Sequence, residues 1–224
     1  GLSGKVYIPQ RIVSGKAGLS FGSTLDELGF DYVTDAVGDP TGKVDKDGKA
    51  AYQEADITRL TAEELADVKY AVIEVNSPAD ANQGVVGGVS FSALVTGQET
   101  GTEPAQWKPM SLQYRPYIAD GPNVRKESLN PEDEFGVKEN RSYFGASTYA
   151  TNEGDLDLVL DVKSKLPADA KLILVVIADR PMCFGEIEPA CDAILLGFTD
   201  GHGAMPEIGF EHVIEGKVEP SGLL

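Results

Sequence analysis

The stretch KLILVVIADRPMCFGEIEPACDAILLGF, residues 171–198, decides how this chain folds. Two apolar runs, KLILVVIA (171–178) and AILLGF (193–198), flank a short acidic segment, and the first run stops at Arg180 and Pro181. Neither run alternates apolar with polar residues, as a strand with one wet face would. Continuous apolarity implies that both faces are covered, the mark of a parallel sheet between helices. The intervening GEIEPACD (185–192) reads as a short helix crossing over one face, so the two runs read as neighbouring central strands of a doubly wound sheet.

The same rhythm extends outward from this stretch. NEGDLDLVLDVKSKL (152–166) puts Leu156, Val159, Leu160 and the Val162–Leu166 segment on one side of a helix, and a last helix is placed around 203–216. Near the start, KVYIPQ (5–10) reads as an opening strand. GSTLDELGFDYVTD (22–35) offers a helix start at Ser23 or Thr24, a stop at Gly29 and then a strand. ITRLTAEELADVKYAVIEVNSP (57–78) gives a Thr61-capped acidic turn followed by the buried strand YAVIEV. In such sheets ligands meet the loops beyond the carboxyl ends of the strands. Those ends are Asn76, Ser77 and Pro78; Asp179, Arg180 and Pro181; and the 199–202 segment ending at His202.

Residues 79–151 break the rhythm, being rich in Gly, Asn, Pro and Ser. So long a stretch without a clear helix is either disordered or functional. The aromatic, strand-like PMSLQYRPY (109–117) within it favours an ordered insertion. The expected architecture is therefore one α/β domain over 1–224, a three-layer α/β/α sandwich on a largely parallel, flavodoxin-like sheet, with a long loop insertion at about 79–151.

Composition narrows the partners. Hydrophobic residues make up 42% of the 224, enough to bury a core and to argue against wholesale disorder. Thirty-six acidic residues against 19 basic ones give a net charge of −17. That surface repels phosphate backbones and anionic lipid, so nucleic acid and membrane are not expected partners, and an uncharged partner such as a sugar suits it better. No apolar run approaches the roughly 18 residues of a membrane span. The start, GLSGKVYIPQ, carries no signal-peptide pattern. Cys183 and Cys191 form no CxxC pair and have only His202 and His212 to join them, so no metal site is expected. Both cysteines are read as small buried hydrophobes rather than a disulfide.

GKVDKDGKAAYQE (42–54) places Asp45, Asp47, Gly48 and Glu54 at positions of an EF-hand loop, but Lys43 stands where the first carboxylate belongs; an Asp-Gly turn is the expectation. YIPQRIVSGKAG after the first strand has neither of the Gly-rich phosphate-binding patterns, and Pro9, Gln10 and Arg11 stand where a receiver-type pocket needs carboxylates. No GxSxG elbow exists. What the chain has in quantity is carboxylates: Glu127, Glu132, Asp133, Glu134 and Glu139 lie in the insertion, with Arg115, Arg125 and Arg141 nearby in sequence. A glutamic acid there can serve as a general acid if a pocket raises its pKa; otherwise the group is a solvated charge cluster.

KLILVVIADRPMCFGEIEPACDAILLGFTDGHG (171–203) resembles the carboxyl-terminal α/β domain of glycoside hydrolase family 3, in which a strand, an Arg-Pro corner, a helix and a DAIL strand follow one another. The closing GKVEPSGLL looks like that family's ending, and PMSLQYRPY and ENRSYFG with TNEGDLDLVLD are similar to segments of its β-glucosidase and β-xylosidase-like branch. The likeness is strongest over about 152–224 and weakest over 1–78. It implies part of a retaining exo-β-glycosidase acting on terminal β-glucosyl or β-xylosyl residues, whose amino-terminal (β/α)₈ barrel carries the Asp nucleophile. The chain has no barrel and no SDW-type nucleophile segment, and it stops inside the PSG motif before the family's last strand. It is therefore expected to be the second domain alone, with the barrel as partner and no cofactor. Retaining hydrolysis needs two carboxylates about 5–5.5 Å apart, so no hydrolysis is expected of the chain by itself. The resemblance offers two candidates for the acid/base, Glu139 in KENRS and Glu127 in VRKES. Arg115, Arg125, Arg141 and His202 are the candidate sugar-binding groups. The rival expectations are a non-catalytic carbohydrate-binding or scaffold module, and a small-molecule binder of flavodoxin type.

Overall fold

A computed structural model describes residues 2–21, 31–44, 47–79, 105–106, 111–124, 139–140, 144–145, 147–148, 150–178, 181–198, 207–220 and 222. Among the described residues thirteen strands follow in chain order: β1 (Lys5–Tyr7), β2 (Gln10–Val13), β3 (Lys16–Leu19), β4 (Tyr32–Val33), β5 (Ala36–Val37), β6 (Ile57–Thr58), β7 (Val68–Asn76), β8 (Ala105–Gln106), β9 (Tyr117–Ile118), β10 (Glu139–Asn140), β11 (Ser147–Thr148), β12 (Lys171–Ala178) and β13 (Ala193–Phe198). The α-helices are α1 (Glu153–Lys165) and α2 (Glu207–Ile214). The chain divides into two compact units.

The first unit holds residues 1–77, 155–180 and 187–224 and contains a five-stranded sheet in the order β13-β12-β7-β1-β4. Every pairing in it is parallel. The fold class is thus α/β on a parallel sheet, as the unbroken apolar runs foretold. Numbered by sequence within the sheet, the spatial order is 2-1-3-4-5, the flavodoxin-like arrangement. The order reverses between β1 and β7.

Register explains the core. Val175 lies opposite Leu195, Ile173 opposite Val72, and Val6 opposite Tyr32 and Tyr70, so all of these share one face. On that face Val6, Ile8, Phe21, Val72, Val175 and Ile177 form a buried cluster, against which Phe210 and Ile214 of α2 pack. The other face of β12 carries Leu172, Leu174 and Val176, all fully buried. Transfer of each such side chain from water contributes about 1.5–3 kcal/mol.

The two strands of 171–198 do not hold equal places. β12 lies between β7 and β13, whereas β13 is an edge strand of the described sheet, half-buried along its length and ending in exposed Phe198. Among its described residues the connection between them holds a single 3₁₀ turn, Glu188–Ala190, in place of the expected helix. Cys183 and Glu186 of this connection are instead spent on hydrogen bonds to Leu112, Tyr114 and Arg115. In α1 the buried residues are Asp155, Leu156, Leu158, Val159 and Val162, while Leu160, assigned to that side from sequence, faces solvent. The helix proposed from Ser23 or Thr24 lies outside the described residues, as does Arg180.

Residues 10–19 form a hairpin, β2 with β3, turning through Ser14 and Gly15, both with positive φ as a two-residue hairpin of this hand requires. Around Gly48 the chain makes the expected tight turn, closed by a bridge between Val44 and Ala50. Glu54, the twelfth position of the calcium-like pattern, is engaged with Arg59 instead.

The second unit holds residues 78–154 and 181–186. Within it β9 pairs antiparallel with β11, and β8 parallel with β10. The 111–118 segment is held by the 181–186 strap: both carboxylate oxygens of Glu186 accept backbone N–H groups, from Tyr114 at 2.8 Å and Arg115 at 3.1 Å, and Cys183 N–H donates to the Leu112 carbonyl. Tyr114 and Ser111 are fully buried there, so this portion of the insertion is ordered.

Candidate functional site

In a sheet of this order the place to look is the carboxyl edge where the order reverses, between β1 and β7. The chain puts a buried polar cluster there. β1 ends at Tyr7 and leads into the β2–β3 hairpin, which carries Arg11; β7 ends at Asn76; and α1 brings Asp155 in its first turn. Arg11 Nε donates to Asp155 Oδ1 at 2.8 Å and Nη2 to Oδ2 at 2.6 Å, a two-pronged pair of the kind a planar guanidinium makes best. Nη2 also donates to Asn76 Oδ1 at 2.7 Å, and the Asn76 backbone N–H reaches Asp155 Oδ2 at 3.3 Å. The side chains of Arg11 and Asp155 are 8% and 7% exposed, which makes this a buried ion pair rather than a surface one. With Arg11 matched by Asp155, the cluster is built to fix geometry more than to transfer protons.

A second hub lies just after β4. Asp35, whose side chain is fully buried, accepts four hydrogen bonds: from the Tyr7 hydroxyl at 2.7 Å, Gln10 N–H at 2.9 Å, Arg59 Nη1 at 2.7 Å and Leu60 N–H at 2.9 Å. Arg59 continues to Glu54 at 2.7 Å. Burial, then the hydrogen bond to Asp35, push the Tyr7 phenol far above its ordinary pKa. One carboxylate thereby ties together four separate points of the first sixty residues.

Of the groups singled out from sequence, Arg115 has a described side chain. It is half-exposed in the second unit and ion-paired with Glu153 through Nη1 at 2.5 Å. Glu139 lies in β10, in register with Ala105 of β8. Glu127, Arg125, Arg141 and His202 lie outside the described residues, as do Glu132, Asp133 and Glu134. Among the described residues no three His, Cys, Asp or Glu side chains gather into a metal-binding group, and no helix is long and apolar enough to cross a membrane. Both cysteines are free, but they differ from the expectation in burial: Cys183 is exposed, its N–H donating to the Leu112 carbonyl. Cys191 is half-buried with Sγ 3.3 Å from the Ile187 carbonyl, and burial pushes its thiol up to about 11, which suppresses the reactive thiolate.

The sequence marks Asn76 only as a strand end and assigns no role to Arg11, Asp155, Asp35, Arg59 or Glu186. A signal for one of them was present. Asp155, Leu158, Val159 and Val162 stand at i, i+3, i+4 and i+7, so a carboxylate sits on the helix's apolar stripe, where a charge needs a partner. No comparable pattern marks Arg11, which occupies an ordinary hairpin position.

Comparison of the chain with protein-family models, with curated proteins and with solved structures finds no match.

Proposed function

We propose that this chain is the second domain of a retaining exo-β-glycosidase of glycoside hydrolase family 3, acting on terminal β-glucosyl or β-xylosyl residues together with a (β/α)₈ barrel. The observation that carries the reading is the parallel sheet order β13-β12-β7-β1-β4, with Asn76, Ala178 and Phe198 ending their strands at one edge. It supports the resemblance because KLILVVIA and AILLGF form neighbouring parallel strands, as the family's strand order implies. On this reading the barrel supplies the nucleophile. Glu127 or Glu139 protonates the leaving oxygen and later deprotonates the attacking water. Arg115 or Arg125 orients the sugar, Arg115 with its guanidinium steadied by Glu153. Arg141 and His202 complete the polar lining.

The test supplies a barrel domain of that family in trans and follows release of chromogenic aryl-β-glucoside and aryl-β-xyloside. The chain alone should release nothing and the pair should release product. Either Glu127→Gln or Glu139→Gln should then lower kcat about 10²-fold or more, the usual weight of a positioned general acid. Parental rates from both variants would remove both from the acid/base role. Sugar binding without release by the pair would mark a carbohydrate-binding module instead.

A further inference from the structure

The chain leaves the first unit after Ser77 and re-enters it at Asp155. Asn76 is one residue before the exit, and Asp155 is the first residue back. Arg11 holds both: Nη2 donates to Asn76 Oδ1 at 2.7 Å, while Nε and Nη2 grip Asp155 at 2.8 and 2.6 Å. Within the second unit the next residues along are joined again. The Ala79 carbonyl accepts from Thr151 N–H at 2.6 Å and from Thr151 Oγ1 at 3.1 Å, and Ala79 N–H donates to Asn152 Oδ1 at 2.7 Å. The ends of a long excursion are thus stitched together twice in succession, once in each unit.

We propose that Arg11 is a clasp at the neck of the 78–154 excursion, a positioning residue that fixes where this stretch departs from and returns to the sheet. Three observations carry it. The pair is buried, so it is neither screened by salt nor idle as a surface pair is. Its fork geometry serves two acceptors on different chain segments, which a single ammonium on a flexible stem does not reproduce. And its guanidinium hydrogen bonds go to Asn76, the last residue of β7, and Asp155, in the first turn of α1, the residues beside the exit and the return. Closing a loop of this length opposes chain entropy, and a rigid three-bond clasp offsets that cost at its narrowest point. The excursion carries Arg115, Arg125, Glu127, Glu139 and Arg141; only what the clasp positions rests on the glycosidase reading, and the clasp itself is testable without sugar.

Removing one partner would strand the other's charge, so the decisive variant replaces both with apolar residues, Arg11→Met with Asp155→Leu, an exchange that buried pairs often tolerate. Amide hydrogen exchange on the full chain is the readout. The amides of Asn76, Ser77, Ala79 and residues 150–155 should exchange about tenfold faster or more, with those of β12 within roughly twofold of parent, because local opening is separable from global unfolding. Arg11→Lys keeps the charge but not the fork and should accelerate the same amides several-fold less; it decides by the same criterion if the double variant does not fold. Neck amides as slow as in the parent would overturn the proposal. Equal acceleration in β12 would also overturn it, since the pair would then be a general stability element. With a barrel in trans, the clasp variant should lower kcat about tenfold at little-changed KM, as expected when catalytic groups are misplaced rather than lost. Unchanged kcat beside a loosened neck would refute the positioning role. A parent pair that releases no product would sink the glycosidase reading and leave the exchange result standing.

Discussion

β12 and β13 are nearly the same sentence written twice, KLILVVIA and AILLGF, yet they occupy different places. β12 has a strand on each side, and Leu172, Leu174, Val175 and Val176 are fully buried. β13 has one neighbour in the described sheet, is half-buried throughout and leaves Phe198 66% exposed. Apolarity reports that a strand belongs to a core; it does not report how many neighbours the strand will have. The difference between the two is made by topology, which is set by chain segments far away in sequence.

The largest expected effect separates them by truncation. Leu174→Ala should destabilise by about 2–5 kcal/mol, and Leu195→Ala by roughly half as much, because the half-buried site loses less transfer energy and leaves less of a cavity. Denaturant midpoints measure both, and equal losses would mean that β13 is as well covered as β12. Next in size is Gly197→Ala on the edge strand. An added Cβ would collide with Phe210 Cζ and stand 2.9 Å from Cε2, so the ring or α2 must shift. The expected cost is about 1–3 kcal/mol. Phe210→Leu in the same chain should recover most of it, and the absence of coupling in that cycle would show that the ring does not press on the glycine.

The smallest effect concerns the stitch where the two strands start. Asp192 accepts the Leu172 N–H at 3.0 Å, returns its own N–H to the Leu172 carbonyl at 2.8 Å, and faces Lys171 at 2.9 Å. The Leu172 N–H first, and then Lys171, hold its carboxyl down to about 2 against an ordinary 3.8. A carboxyl depressed by folding contributes stability above its unfolded pKa and loses it as pH falls from about 4 towards 2. Asp192→Asn should therefore lower the melting temperature at neutral pH, where the ionised carboxylate contributes, and converge with the parent as pH falls towards 2, so that its acid limb is flatter. A parental acid limb in the variant would count against the stitch.

How far the sequence could be read follows the same division. Long apolar runs announced β7 and β12, and the stripe at 156, 159 and 162 announced α1, because burial on two faces or on one side leaves a local period. Thr61 announced a capped turn, and its Oγ1 does accept the Glu64 N–H while the Glu64 carboxylate accepts the Thr61 N–H. The edge position of β13 and the shortness of the 185–192 crossover were not written locally. Nor was the switch-point cluster, since Arg11, Asn76 and Asp155 meet across separations of 65 and 144 residues. Only Asp155 gave itself away, as a charge on an apolar stripe. The candidate acids were proposed from a resemblance, and no periodic pattern speaks to them.

The Asp35 hub has a consequence for alkaline solution. The Tyr7 hydroxyl donates a hydrogen bond to a buried carboxylate that already serves Arg59, so the folded phenol resists ionisation where the unfolded one yields near pH 10.0. A group whose folded pKa is raised lends stability that is whole below the unfolded value and drains away as pH climbs past it. Tyr7 is thus a silent chromophore in the intact fold: its tyrosinate absorption would arrive with the loss of the first strand and mark the moment that β1 lets go.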